Sequence, residues 1–568
     1  MTDLNLVSLI DPRVDINNLR NSSYGVVRGG GSSTFKAIVS NSLSNSQIGF
    51  KADPPSASVF VARRVLLKVR ATTTFTGTSL GAGVALLQMA GATQTGGTAS
   101  VYNFDALRCR PLSQAISSIN CVMNGDPVTT SLNTYSRLMQ RFASDAEDED
   151  KEYSLSPSQP DASQNYNTLD GFPLNPLSAY GDNAVQCPRG GFAGVTITRN
   201  DSTGVAGDIA TVTFEVTEPL YLSPFASGKG QEDVAFIGLQ TLDVNLTLAA
   251  RGNGILGGLT SAFWSHMPKG STFSALSTNI EAASLLFQYI SPDLTMQIPR
   301  EVNYAYYELQ DYPTGSSVAI AAGAQTTLIM NNIQLGTVPN RIFVYASERD
   351  TDCNITSTDT YFRIDRISVS YKNQDSLLVN MSIQDHYQMY LKNGGNISFT
   401  QYTKHVGSVM AIQLGTDLAL DALSAPGLRD AQNLSLVLTC TNVSDRAIVP
   451  TLHCTVVSEG VFKMIDGRVF RSLGVLDVQD VMDVRNQNPI SYRPNATFYG
   501  AGSFFGDVGQ FLKKLIRPAI GVAQKILPQQ FQPIVQGVSE VASSYGLGLG
   551  RRRGGALIEQ AEMKQLTY

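Results

Sequence analysis

Apolar and polar residues alternate with a period of two in two separate parts of this chain. In the first, Val65, Leu67, Val69 and Ala71 stand between Arg64, Lys68, Arg70 and Thr72. Further on, Val212, Phe214 and Val216 alternate with Thr211, Thr213, Glu215 and Thr217, and Leu242, Val244, Leu246 and Leu248 with Asp243, Asn245 and Thr247. The second part repeats the pattern with Ile367, Val369 and Tyr371, then Leu434, Leu436, Leu438 and Cys440. A period of two over four to eight residues marks a strand with one buried face. No long helical pattern separates the two parts, so the pattern predicts an all-β protein with two successive antiparallel domains. That architecture suits a building block better than an enzyme.

The boundaries follow from where the alternation starts and stops. Residues 1–50 are rich in Asn, Ser and Gly around Arg28-Gly-Gly-Gly31 and read as an extended N-terminal arm. Residues 51–292 form the first domain and 293–498 the second, each sized for eight strands. Within the first domain, 144–183 interrupts the strands with the acidic run Asp145–Asp150 and a Ser/Pro-rich stretch, and reads as an exposed loop. A contiguous acidic run lacks the alternating ligand spacing of a calcium site, which leaves solvated surface. In the second domain, Ser382–Leu391 reads as a short helix.

Residues 499–568 change period. Phe504, Phe505, Phe511, Leu512 and Leu515 recur at spacings of three and four while Lys513, Lys514 and Arg517 take other positions. This is an amphipathic helix with Ser503 as N-cap, a kink at Pro518 and a stop at Pro528. A glycine-rich segment, the basic triplet Arg551, Arg552 and Arg553, and the pair Gly554-Gly555 follow. An apolar face with a basic flank fits a membrane surface, a partner groove or docking on its own domain.

Composition narrows the function. Only 16% of the 568 residues are charged and 49 are glycine, as expected for short strands, tight turns and large subunit contacts. A net charge of -5 gives no global reason for nucleic-acid binding. Asp3, Asp11, Arg13 and Asp15 interrupt the first twenty residues, so no secretory signal is expected, and no stretch is long and apolar enough to span a membrane. The six cysteines lack framework spacing, which predicts reduced thiols in an intracellular setting. The four histidines (His266, His386, His405 and His453) fall in no nucleophile or metal motif, and His453-Cys454 with Cys440 lacks paired zinc spacing. Gly252-Asn-Gly254-Ile-Leu-Gly257 spells a dinucleotide fingerprint but follows an alternating strand without a βαβ unit, so it reads as a turn. No catalytic residue, metal site or cofactor is expected.

A family resemblance enters through the second domain. Ile298-Pro-Arg300 with Tyr304-Ala-Tyr-Tyr307, Asn332 to Tyr345, Ile367 to Leu378, Gln384-Asp-His-Tyr387 and Asn393-Gly394 resemble the double jelly-roll major capsid proteins of polinton-like viruses, virophages and related small DNA viruses. In the first domain, Leu222-Ser-Pro-Phe225 and Gly238 to Asn245 are similar to the same family; the tail carries no match. The resemblance implies two upright eight-stranded jelly rolls per chain and a homotrimer of pseudo-hexagonal outline that tiles an icosahedral shell around DNA. It also implies contacts with neighbouring capsomers and with minor capsid or penton proteins, and location in a virion capsid assembled inside the host cell. The tail would face inward, towards genomic DNA, minor proteins or an internal membrane. Related viruses carry a cysteine protease that favours paired glycines, which makes Gly554-Gly555 a candidate maturation cleavage site. Two rival readings are a minor jelly-roll virion protein of a vertex or spike, and a carbohydrate-binding β-sandwich. The latter needs an aromatic platform or a carboxylate pair, and Trp264 is the single tryptophan.

Overall fold

The computed structural model describes residues 32–482 apart from 80–82, 90–92, 98–104, 132–137, 139–155, 158–193, 226–234, 267–271, 293–300, 358–360 and a few single positions. Strands dominate. In the first domain they are β1 (Ser32–Val39), β2 (Gln47–Lys51), β3 (Leu66–Ser79), β4 (Ile116–Met123), β5 (Asp126–Ser131), β6 (Ile209–Pro219), β7 (Leu242–Leu248) and β8 (Thr272–Ser291). They form one sheet in the order β1-β8-β3-β6, extended at its far edge by Thr196–Asn200, and a second in the order β2-β7-β4-β5. In the second domain, β9 (Glu301–Gly315), β10 (Gln325–Leu335), β11 (Arg341–Glu348), β12 (Arg363–Tyr371), β13 (Gln374–Leu377), β14 (Met410–Gln413), β15 (Gln432–Thr441) and β16 (Pro450–Ile465) pair as β9-β16-β11-β14 and β10-β15-β12-β13. Both domains therefore place strands 1-8-3-6 and 2-7-4-5 of their own count in facing sheets. That order defines a jelly roll, here twice in one chain.

The alternation predicted from sequence is the inward face of these strands. Val212, Phe214 and Val216 are buried from β6, as are Leu242, Val244 and Leu246 from β7. Trp264 sits at the centre of the first core with its ring edge-on to Phe75 and Phe214 (5.5 and 5.6 Å), and its indole N–H donates to Thr73 Oγ1 at 2.8 Å. A buried indole needs that acceptor. The second core gathers Ile342, Val344, Val369, Leu436, Leu438 and Cys454. Strand β11 breaks the alternation, being buried from Ile342 to Glu348, because its sheet is covered on both faces.

Antiparallel order also sorts the connections by end. In each roll the links between its strands 1–2, 3–4, 5–6 and 7–8 emerge at one end, here called upper; the other three emerge at the lower end. The upper end carries the long insertions: 80–115, 132–208 and 249–271 in the first roll, 349–362 and 378–409 in the second. Among the described residues the upper insertions hold three short α-helices, α1 (Pro111–Ala115), α2 (Leu259–Phe263) and α3 (Ile383–Lys392), and one π-helical turn at Gln401–His405. Helix α3 is the one read from sequence, with Ser382 and Asp385 forming a reciprocal capping box.

Two expectations need correction. The N-terminal arm does not extend to residue 50: Ser32–Val39 is the edge strand β1, paired with β8, and Gln47–Lys51 pairs with β7. Strand β1 escaped the periodicity because both its faces are exposed, leaving no alternation. The loop 144–183 is not exposed throughout either, since Ser156 and Pro157 are buried. Ser156 Oγ donates to Glu218 Oε1 at 2.9 Å, and the Arg110 N–H donates to the Pro157 carbonyl at 2.6 Å. Glu218 also accepts from the backbone N–H groups of Leu112 and Ser113, both at 2.9 Å, and from Ser113 Oγ at 2.7 Å. Burial raises the Glu218 pKa, against the lowering effect of these donors and of Arg110. The insertion is thus stapled to the core at Ser156 and Pro157. Residues 1–31 and the acidic run Asp145–Asp150 lie outside the described residues.

Candidate functional site: the seam between the rolls

What a two-roll building block must control is how its rolls sit against each other. Contacts at both ends fix that relation. At the lower end, the β4–β5 turn places Asn124 at φ 50° and Gly125 at φ 92°, a pair of left-handed conformations that suits Asn-Gly. The Asn124 side chain then uses its full hydrogen-bonding capacity. Its Nδ2 donates to the Gly238 carbonyl at 3.0 Å and, across the seam, to the Gly467 carbonyl at 2.8 Å; its Oδ1 accepts from the Gln240 and Thr241 N–H groups at 2.7 and 3.0 Å. Gly467 belongs to a second tight turn, Asp466-Gly467, between β16 and β17 (Arg468–Leu473).

Just above these turns, aromatic rings fill the seam. Tyr304 of β9 packs edge-on to Phe236 of the first roll at 5.2 Å, and both lie near Phe462 of β16. The Tyr304 hydroxyl donates to the Ala235 carbonyl (3.0 Å) and accepts the Ile237 N–H (3.1 Å). Arg63 lies over both the Phe236 and Tyr304 rings and donates from Nε to the Pro224 carbonyl at 2.8 Å. Burial lowers its pKa to about 10, so it stays cationic at neutral pH and its charge favours the ring faces. Strand β5 lies alongside β9 here without pairing to it.

At the upper end the latch is main chain to main chain. Gly252 N–H donates to the Asp350 carbonyl (2.9 Å), Ile355 N–H to the Leu256 carbonyl (3.0 Å), and His266 N–H to the Ile355 carbonyl (2.7 Å). Arg108, almost wholly buried, donates to the Ser261 carbonyl in its own roll (2.6 Å) and to the Asn354 carbonyl in the other (2.8 Å). Upper insertions meet upper insertions and lower turns meet lower turns, so the two rolls stand side by side and the same way up.

The glycine motif is a turn, as read from sequence, with Gly252 and Gly254 at φ 71° and 75°. Its place in the seam was not legible, because its partners lie about a hundred residues away. The Asn124 clamp was missed too, although Asn-Gly between alternating strands is a hairpin signal. Among the described residues no group of three or more His, Cys, Asp and Glu could hold a metal. Asp105 and His266 bond at 2.6 Å and Asp311 and His453 at 2.8 Å, each pair well buried. Cys440 and Cys454 are buried free thiols whose pKa values burial pushes up. Phe504, Phe505, Phe511, Leu512, Lys513, Lys514, Leu515, Arg517, Arg551, Arg552, Arg553, Gly554 and Gly555 all lie outside the described residues.

Two jelly rolls of one topology, locked side by side and the same way up in one chain, define a double jelly-roll protein. Residues 2–290 match the family of the Sputnik virophage major capsid protein first domain, and residues 309–406 match the major capsid protein V20 C-terminal domain. The chain belongs to this family and is a major capsid protein of the virophage type. Capsid protein V20 of Sputnik virophage is 26% identical over 98% of this chain and 96% of its own length. A chain of the cryo-EM structure of the Sputnik virophage superposes with a TM-score of 0.73 at 25% identity, covering 86% of this chain and 97% of that one. The mavirus major capsid protein shares the fold with a TM-score of 0.63 at 14% identity, covering 84% and 96%. A capsid protein of this family assembles with other capsid subunits.

Proposed function

We propose that three copies of this chain form a homotrimeric capsomer, six rolls in a pseudo-hexagonal ring, that tiles an icosahedral shell around DNA without catalysing a reaction. The observation that carries this reading is the seam: it holds two rolls of one topology upright in a single rigid unit, and three such units supply a six-sided outline. Closed cyclic symmetry gives each copy two lateral contacts. The shell would be built in the host cell from protein made without a secretory signal, with minor capsid or penton proteins at its vertices. Native mass spectrometry of the purified protein should give three chains, and a monomer at micromolar concentration would overturn the capsomer.

The tail completes the proposal. The apolar stripe through Phe504, Phe511 and Leu515, flanked by Lys513, Lys514 and Arg517, belongs on the inner side of the shell, where an exposed stripe is shielded and the cations meet DNA, partner proteins or anionic headgroups. Cleavage after Gly554-Gly555 would leave Arg551, Arg552 and Arg553 near a new C-terminus. Intact mass of the protein from mature particles should end at Gly555, and a mass extending to Tyr568 would exclude the cut.

A further inference from the structure

The sequence contains three Asn-Gly pairs, and the fold treats them differently. An asparagine followed by glycine can react with itself, because no side chain shields the next main-chain nitrogen from the asparagine amide. Asn124 is pinned by the four hydrogen bonds of the lower clamp. Asn393 is buried at the end of α3, where its Nδ2 donates to the Ala411 carbonyl and to Asp417 Oδ2, both at 2.7 Å. The Gly394 N–H is held as well, donating to the Leu391 carbonyl at 3.1 Å. Asn253 differs on every count. It is exposed, and among the described residues nothing hydrogen-bonds its side-chain amide or the Gly254 N–H. The space around Gly254 is open too, with no atom within 4 Å of where its Cβ would stand.

This pair sits inside the upper latch. Gly252, just before it, donates to the Asp350 carbonyl, and Leu256, just after it, accepts from the Ile355 N–H. The turn between those two bonds has no slack. A Cβ on Gly257 would lie 2.7 Å from the Asn253 nitrogen and 2.9 Å from its carbonyl oxygen, so the chain already doubles back tightly on Asn253. A longer main chain from Gly252 to Leu256 therefore cannot keep both latch bonds in place.

We propose that Asn253 is a spontaneous modification site whose conversion to isoaspartate opens the upper latch. The main-chain nitrogen of Gly254 attacks Asn253 Cγ and gives up its proton, the Cγ–Nδ2 bond breaks, and ammonia leaves. One water then opens the resulting five-membered imide at either carbonyl, giving aspartate or isoaspartate. Isoaspartate routes the main chain through the former side chain and so adds one methylene between the two latch bonds. The step needs water alone, so the seam loosens with the age of the subunit.

Incubating the purified full-length protein in mildly alkaline buffer, then mapping its peptides against an unincubated sample, tests the site. Amide-to-acid conversion should appear in the tryptic peptide 252–269 at least about tenfold faster than at Asn124 or Asn393, and electron-transfer fragmentation should identify isoaspartate there. Conversion at Asn253 no faster than at the other two would overturn the assignment. The converted chain should be digested by protease about tenfold faster than fresh protein. Asn253→Gln aged alongside should keep the fresh rate, because glutamine closes its ring far more slowly. Aged wild type that carries isoaspartate at 253 but is digested at the fresh rate would overturn the effect on the latch. Equal acceleration in the aged Asn253→Gln protein would overturn it too, by placing the change elsewhere.

Discussion

Replacing Gly252 with alanine should separate the upper ends of the two rolls. A Cβ at this position would lie 1.6 Å from the carbonyl oxygen of Cys353, which belongs to the other roll, and the backbone holds φ at +71°. The turn that carries this oxygen also carries Asp350, so it cannot move away without straining the Gly252 to Asp350 hydrogen bond. The cost expected from such a main-chain clash with left-handed strain is about 4 kcal/mol. Gly254 provides the control. Its φ is +75°, yet nothing lies within 4 Å of its Cβ position, so Gly254→Ala should cost only the left-handed strain of about 1 kcal/mol. Denaturant unfolding measures both. The Gly252 variant should also be digested faster by protease and fail to form capsomers. Equal stability of the two variants would mean that the seam does not hold the rolls.

The contrast also marks how far the sequence could be read. Strands with one wet face, such as Ile209–Pro219, wrote their register into the chain, and the jelly-roll motifs of the second domain identified the family. Three kinds of feature stayed hidden for distinct physical reasons. Strand β1 carries no alternation because both its faces are exposed. Strand β11 carries none because both faces are covered. The seam depends on pairings such as Asn124 with Gly467 and Gly252 with Asp350, which no local pattern encodes. The glycines required for close approach look the same in sequence as glycines in open turns; only the position of the Cys353 carbonyl separates Gly252 from Gly254.

A rise in pH from about 4.5 to 8 should loosen the second roll near the seam through one carboxyl group. Glu459 of β16 lies directly across from Tyr307 of β9. Burial raises its pKa to about 8, and a hydrogen bond with Asn340 and the charge of Arg341 offset this only in part. The atom Oε1 is buried without a hydrogen-bond partner, as a neutral carboxyl tolerates better than a carboxylate. Tyr307, itself pushed well above its ordinary pKa by burial and by the Glu459 charge, faces the same group, with Arg63 acting in the opposite sense. Since the folded pKa lies above the unfolded value, this group contributes stability fully below about pH 4.5 and loses it as pH rises through about 8. Glu459→Gln keeps the shape without the titration. It should be within about 0.5 kcal/mol of the wild type near pH 4.5 and more stable by about 2 kcal/mol from about pH 8 upward, once solvent screening is allowed for. Urea midpoints of the two proteins across pH 4.5–9 measure this directly. Parallel curves would assign the loss to other groups, whereas curves that diverge between about pH 4.5 and 8 and run parallel above would place it at the β9–β16 contact beside the seam.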